Sequence, residues 1–198
     1  MPRWTNGGGC LVALPSQMSV PCLNCRGLGK PQVADNLWHL FRGTKPNLIF
    51  LSETKLSCVE MRRVVDLLPD YDGIFVNCHG RLEGLVCSGR KWLVSDSSLV
   101  RPTTLIQRSN GADAEEWRFT GLYGFSEKEN KLKTCDLLLD LRLHTALPWL
   151  VGGDFNEILF NYQKKGGRTK AQATLEAFHA TLDMRNLFDL GFSGHDFN

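Results

Sequence analysis

The chain lacks a charge imbalance, a long apolar run and a paired set of cysteines, and the last two absences each remove a class of protein. Its 198 residues carry 23 Lys and Arg against 21 Asp and Glu, a formal net charge of +2. Overall charge therefore neither announces nor excludes a nucleic-acid binder, and charge placement has to carry that question. No stretch approaches the ~18 apolar residues of a membrane span. The opening MPRWTNGGGCLVALPSQ holds an apolar core too short and too broken by Gly and Pro for a signal peptide. Residues 1–17 are expected to be a disordered leader, with the folded part starting at Met18. Seven cysteines, at 10, 22, 25, 58, 78, 87 and 135, are odd in number and scattered. Cys22 and Cys25 form a C-x-x-C, but no second pair stands at zinc-ribbon spacing, so buried reduced thiols of an intracellular protein are expected. GLGK at Gly27–Lys30 lacks the preceding spacing and following Ser/Thr of a P-loop. No internal repeat or low-complexity tract interrupts the chain.

What is present alternates. QVADNLWHLFRG places Val33, Leu37, Leu40 and Phe41 at helical spacing and is stopped by Gly43; LIFLSE follows as a continuous apolar strand, then CVEMRRVVDLL as a second helix. The middle changes character: IFVNC, GLVCSG, KWLVSDSSLV, TTLIQR and EWRFTGLYG are short Val-, Thr- and aromatic-rich runs, read as mainly antiparallel strands. KENKLKTCDLLLDLRL is a helix, LPWLVGG a buried strand, and QATLEAFHATLDM a helix with Leu175, Phe178 and Leu182 inward. Strands this apolar leave no face for water, which predicts a layered α/β domain with two sheets face to face and helices outside.

Several apolar strands end in a polar residue that strand physics does not require: Asn24, Glu53, Tyr123, and Asp154 with Asn156. An Asn after a strand is usually a turn residue and a Glu there is usually solvated, so each signal is weak alone. Strand ends opening at one sheet edge, however, are where side chains converge on a ligand. A Glu held by an Asn and backed by an Asp is a hard-oxygen set suited to Mg²⁺ or Mn²⁺. In an extended segment, Asp154 and Asn156 would face the same side while Phe155 enters the core. Asp154 could then orient a water and Asn156 donate to a phosphoryl oxygen.

LNCRGLGKP, NLIFLSETKL, WRFTGLYG and LPWLVGGDFNEIL stand in the order and spacing of the endonuclease/exonuclease/phosphatase family, which the chain resembles from about Met18 to Phe197. YDGIFV, GGRTKAQ and NLFDLGFSGHDF are similar to segments of one subgroup, the endonuclease domains of plant LINE-type retrotransposons. The resemblance implies a DNase I-like four-layered α/β sandwich, two packed mixed β-sheets flanked by helices. It implies Asn24 and Glu53 at the metal with Glu53 the direct ligand, Tyr123 on the scissile phosphate, Asp154 activating water, and Asn156 stabilising the pentacovalent transition state. The reaction implied is Mg²⁺- (or Mn²⁺-) dependent hydrolysis of a DNA phosphodiester, which in the retrotransposon branch leaves a 3′ hydroxyl that primes reverse transcription. DNA is the expected partner, with no membrane and no obligate protein partner, and the setting is intracellular and compatible with the nucleus.

The match has departures. The family carries a further strand ending in Asp and a Ser-Asp-His triplet, whereas this sequence stops at GFSGHDFN. The expectation is a domain over 18–198 incomplete at its C-terminus, weak or inactive by itself. His195-Asp196 has the reverse order in a loop context and is not expected to act; His39, His79, His144 and His179 are expected on helix faces or at the surface. Arg26 stands where apurinic-site nucleases of the family carry an Asp that assists the metal, which weighs against a repair enzyme. Lys164, Lys165, Arg168 and Lys170 follow the Asp-x-Asn motif and either contact flanking phosphates or form an ordinary solvated turn. Two rival readings remain: a non-catalytic retroelement remnant or nucleic-acid-binding module, and a phosphoesterase of the same fold acting on another substrate.

Overall fold

A computed structural model describes residues 10–11, 19–25, 28–68, 70–76, 85–89, 103–108, 116–142, 148–163, 166 and 169–190. Nine strands are described: β1 (Cys10–Leu11), β2 (Cys22–Asn24), β3 (Leu48–Ser52), β4 (Asp72–Val76), β5 (Leu85–Gly89), β6 (Thr103–Arg108), β7 (Glu116–Tyr123), β8 (Trp149–Asp154) and β9 (Phe188–Asp189). Four α-helices accompany them: α1 (Pro31–Thr44), α2 (Cys58–Val65), α3 (Lys131–Arg142) and α4 (Gln172–Asp183). One sheet has the order β6-β7-β8-β1-β9 and the other β2-β3-β5-β4. Pairs in the middle of the chain are antiparallel (β3 with β5, β4 with β5, β6 with β7), while β2 with β3 and β7 with β8 are parallel. The expected run KWLVSDSSLV lies outside the described residues.

Side-chain alternation builds the layers. On β3, Leu48 and Phe50 join Cys22, Trp117, Phe119 and Leu150 in a core between the sheets. Ile49 and Leu51 point the other way, against Ala34, Trp38 and Phe41 of α1 and Met61 and Val65 of α2. On the far side, Leu122, Trp149 and Val151 meet Leu138 and Leu141 of α3 and Phe178 and Leu182 of α4. The result is helix, sheet, sheet, helix: the four-layered sandwich.

Local rules account for most of the element ends. A capping box opens α2, with the Ser57 hydroxyl accepting from the Glu60 N–H and the Glu60 carboxylate accepting from the Ser57 N–H. Helix α1 runs past Gly43 to Thr44, and the left-handed turn that ends it falls on Lys45 at φ 44°. Its buried stripe is Ala34, Trp38 and Phe41, whereas Val33 and Leu40 are exposed. The bulk of Trp38 turns the helix so that its own spacing, rather than that of Val33 and Leu40, faces the sheet. Within the segment expected to be a disordered leader, Cys10–Leu11 pairs antiparallel with both β8 and β9. Among the described residues, no helix is long and apolar enough to cross a membrane. Cys22 and Cys25 are buried free thiols, as expected, and burial pushes both up to about 12.

Glycine decides how closely the sheets approach. A Cβ on Gly121 would stand 2.1 Å from the Phe50 ring, and one on Gly152 would stand 2.7 Å from the Cys22 sulfur. Gly153 has φ +138°, and its Cβ would meet the Leu122 carbonyl oxygen at 2.0 Å and Phe50 at 2.9 Å. Gly153→Ala therefore combines a backbone strain with an unrelieved clash. It is expected to lower stability by about 3 kcal/mol, read as a fall in the urea midpoint; an unchanged midpoint would show that the close approach is not limiting.

Candidate active site

Parallel pairing sets β2 beside β3 and β7 beside β8, with Asn24 opposite Ser52 and Tyr123 opposite Asp154. The alternation that sends Cys22, Phe119 and Leu150 into the space between the sheets sends Asn24, Tyr123 and Asp154 to the same side. These three therefore emerge at one end of the inter-sheet space, where the carboxyl ends of four strands meet. Glu53 arrives differently. Strict alternation would send it to the helix side with Ile49 and Leu51, but its backbone is left-handed at φ 52°. That turn brings the carboxylate back over the strand ends, where it is 6% exposed.

The four side chains meet directly. Asn24 Nδ2 donates to Glu53 Oε1 at 2.9 Å and lies 3.4 Å from Asp154 Oδ2. The Tyr123 hydroxyl donates to the same Glu53 Oε1 at 2.6 Å. One neutral amide thus bridges two carboxylates contributed by different sheets.

Asn156 departs from the expected geometry. The chain does not stay extended past Asp154: Asn156 is left-handed at φ 53°, so the same-side relation of residues two apart is lost. Its N–H donates to Asp154 Oδ1 at 2.9 Å and its Nδ2 to the Gly124 carbonyl at 2.7 Å. Phe155 does enter the core, 1% exposed and against Phe178. Asn156 thus fixes the Asp154 carboxylate and ties the loop to the end of β7.

Beneath this loop lies a charged cluster that the sequence reading missed. The Glu157 side chain, 2% exposed, pairs with Lys131 at 3.1 Å and also with Lys170. Both lysines also donate to the Asn156 carbonyl oxygen, Lys131 at 2.6 Å and Lys170 at 3.4 Å. Lys170, expected either to contact flanking phosphates or to lie in a solvated turn, has its ammonium committed to the loop. Lys164, Lys165 and Arg168 lie outside the described residues. Glu157 was visible as an acid after the Asp-x-Asn motif, but nothing in its spacing points to Lys131, 26 residues earlier on another element. Of the other histidines, His39 is exposed on α1 and His179 on α4 bonds the Leu159 carbonyl at 2.9 Å; His79, His144 and His195 lie outside the described residues.

The donor set fits a hard divalent cation. Two carboxylates flank one amide, and the Asn24 carbonyl oxygen makes no hydrogen bond among the described residues. Among the described residues no group of three His, Cys, Asp or Glu that could hold a metal ion is found.

Comparison with known proteins gives the class. The chain belongs to the Endonuclease/Exonuclease/phosphatase family, whose profile matches residues 20–193. Its class is therefore that of hydrolases acting on ester bonds. Solved structures share the fold, among them the following three. D. rerio TDP2 complexed with single strand DNA product is 17% identical with a TM-score of 0.54, over 73% of this chain and 62% of that one. A Bacteroides thetaiotaomicron family protein is 16% identical with a TM-score of 0.54, over 81% and 66%. The 3′ phosphatase NExo from Neisseria, bound to product DNA hairpin, is 13% identical with a TM-score of 0.58, over 85% and 71%. The chain thus spans about two thirds of the length of these structures. No curated protein matches it in sequence.

Burial holds the Lys170 pKa below the ordinary lysine value of 10.5, against the pull of Glu157. In that window the unfolded chain binds more protons than the folded protein, so this group's contribution to stability grows as pH rises. Lys170→Met leaves buried Glu157 with Lys131 alone and is expected to cost about 2 kcal/mol at neutral pH. The stability difference between wild type and variant should shift in favour of wild type toward pH 10. Paired urea titrations across pH 7–10 measure both.

Proposed function

We propose that the chain hydrolyses DNA phosphodiesters with Mg²⁺ or Mn²⁺, as the endonuclease domain of a LINE-type retroelement. The observation that carries the reading is the meeting of Asn24, Glu53, Tyr123 and Asp154 at one end of the two sheets. Glu53 and the Asn24 carbonyl would hold the cation, which when bound neutralises phosphate charge. Asp154, oriented by the Asn156 N–H, would accept a proton from the attacking water. The Tyr123 hydroxyl orients Glu53 by donating to it, and it can turn toward a phosphoryl oxygen. Asn156 keeps a second amide N–H beyond the one given to Gly124, available for the transition-state charge.

Family membership and the DNA named in two of the shared-fold structures support a nucleic-acid substrate. The retroelement assignment rests on the segment resemblance YDGIFV, GGRTKAQ and NLFDLGFSGHDF. Among the described residues no histidine touches the site. One positioned acid–base group contributes on the order of 10²–10⁴ in rate, so this set of residues supports slow turnover. A module that binds DNA with little cleavage is the second reading, and the same observation favours it.

Nicking of supercoiled plasmid with Mg²⁺ or Mn²⁺ tests the proposal. Wild type is expected to nick slowly, and Glu53→Gln to reduce the rate at least about 100-fold. Folded protein that shows neither nicking nor cation binding by calorimetry would leave only the binding module. Separately, Lys164→Glu with Lys165→Glu is expected to weaken duplex binding and reduce the slope of log affinity on log salt by about 2; an unaltered slope would assign these lysines to a solvated turn.

A further inference from the structure

Immediately after the site loop, the chain presents two aromatic rings to water. Phe160 is 44% exposed and Tyr162 is 78% exposed. Their rings stack with centroids 5.3 Å apart and planes 10° from parallel. Isolated exposed aromatics are ordinary, but a parallel pair held open on a surface is not what burial alone produces.

The pair is held rigidly. The Gln163 side-chain oxygen accepts the N–H groups of Leu159 and Phe160, at 2.8 and 3.1 Å, closing the turn that carries both rings. His179 of α4 packs edge-on against Phe160, centroids 5.0 Å apart, and is itself tied to the Leu159 carbonyl. The Asn161 side chain, between the rings in sequence, accepts the Lys170 N–H at 2.9 Å and donates to the Lys170 carbonyl at 3.3 Å. Lys170 in turn reaches the Asn156 carbonyl. The stack is therefore anchored, two bonded steps away, to the loop that carries Asp154. Lys131, Lys170 and Glu157 between them leave one net positive charge (two cations less one anion) beneath that connection.

We propose that Phe160 and Tyr162 form a stacking platform for an unpaired base of the nucleic acid flanking the scissile phosphate. The proposal rests on the reading of the chain as acting on nucleic acid. A base laid on the outer face of Tyr162 extends the stack by one plane. A base within a duplex has both faces covered by its neighbours, so the platform selects single-stranded or frayed substrate. Stacking is tolerant of base identity, so the platform reads the absence of pairing rather than sequence.

Fluorescence anisotropy in EDTA with a labelled oligo-dT strand and with a blunt duplex tests this without cleavage. Tyr162→Ala is expected to weaken single-strand binding about tenfold and leave duplex binding unchanged; Tyr162→Trp should restore it and Tyr162→Leu should not. Because Tyr162 is 78% exposed, an unchanged circular dichroism spectrum is expected for all three. Wild-type affinity in Tyr162→Ala, equal losses on single strand and duplex, or rescue by Leu would each overturn the platform. Strand binding that depends on Tyr162 with no nicking under Mg²⁺ would sustain the platform while refuting the hydrolytic reading. No binding of either nucleic acid by wild type would refute both.

Discussion

The distance between the two sheets at one end is the constraint on which the site depends. Face-to-face sheets ordinarily stand about 10 Å apart because side chains from both fill the gap. Here Phe50 of one sheet lies over Gly121 and Gly153 of the other, and Cys22 over Gly152, with no Cβ between them. Removing that layer lets strand ends from different sheets reach each other, so that Asn24 of β2 lies 3.4 Å from Asp154 of β8. The Gly-Gly before Asp154, inside β8, thus lowers one sheet onto its neighbour.

Two left-handed residues complete the arrangement. Glu53 and Asn156, at φ 52° and 53°, each occupy a conformation costly for a residue with a side chain. Each is over-determined by its surroundings: Glu53 by Asn24 and Tyr123, and Asn156 by Asp154, Gly124, Lys131 and Lys170. The charges on either side of the loop then differ in sign. Two carboxylates face the strand ends, while two lysines and one buried glutamate lie beneath. The cluster beneath is spent on the loop itself, since both lysines bond Glu157 and the Asn156 carbonyl.

Much of this was legible in the sequence because strand periodicity is local. Apolar runs closed by Asn24, Glu53, Tyr123 and Asp154 could be read as strand ends, and the order of motifs gave the layering. The misreadings have physical causes. In α1, Val33 and Leu40 have the spacing of a core face, yet Trp38 buries more area and turns the helix about its axis. For Asp154 and Asn156, the inference of a shared side assumed extended backbone, and the turn at Asn156 removed it. Lys170 read as a surface cation because its partner Glu157 and its neighbour Lys131 come from separate elements. The short pairing of Cys10–Leu11 depends on an open edge between β8 and β9, which no local pattern reveals.

The sequence by itself determined which residues end strands and which face of each strand is apolar, since both follow from a two-residue repeat and from turn chemistry along one stretch of chain. Tertiary structure alone decided that those ends belong to two sheets meeting at one place, that Glu53 turns inward against its strand's alternation, and that Lys131, Glu157 and Lys170 brace the loop that carries Asp154. These depend on close approach between segments distant in sequence, and close approach here was set by glycines whose contribution is the space they leave empty.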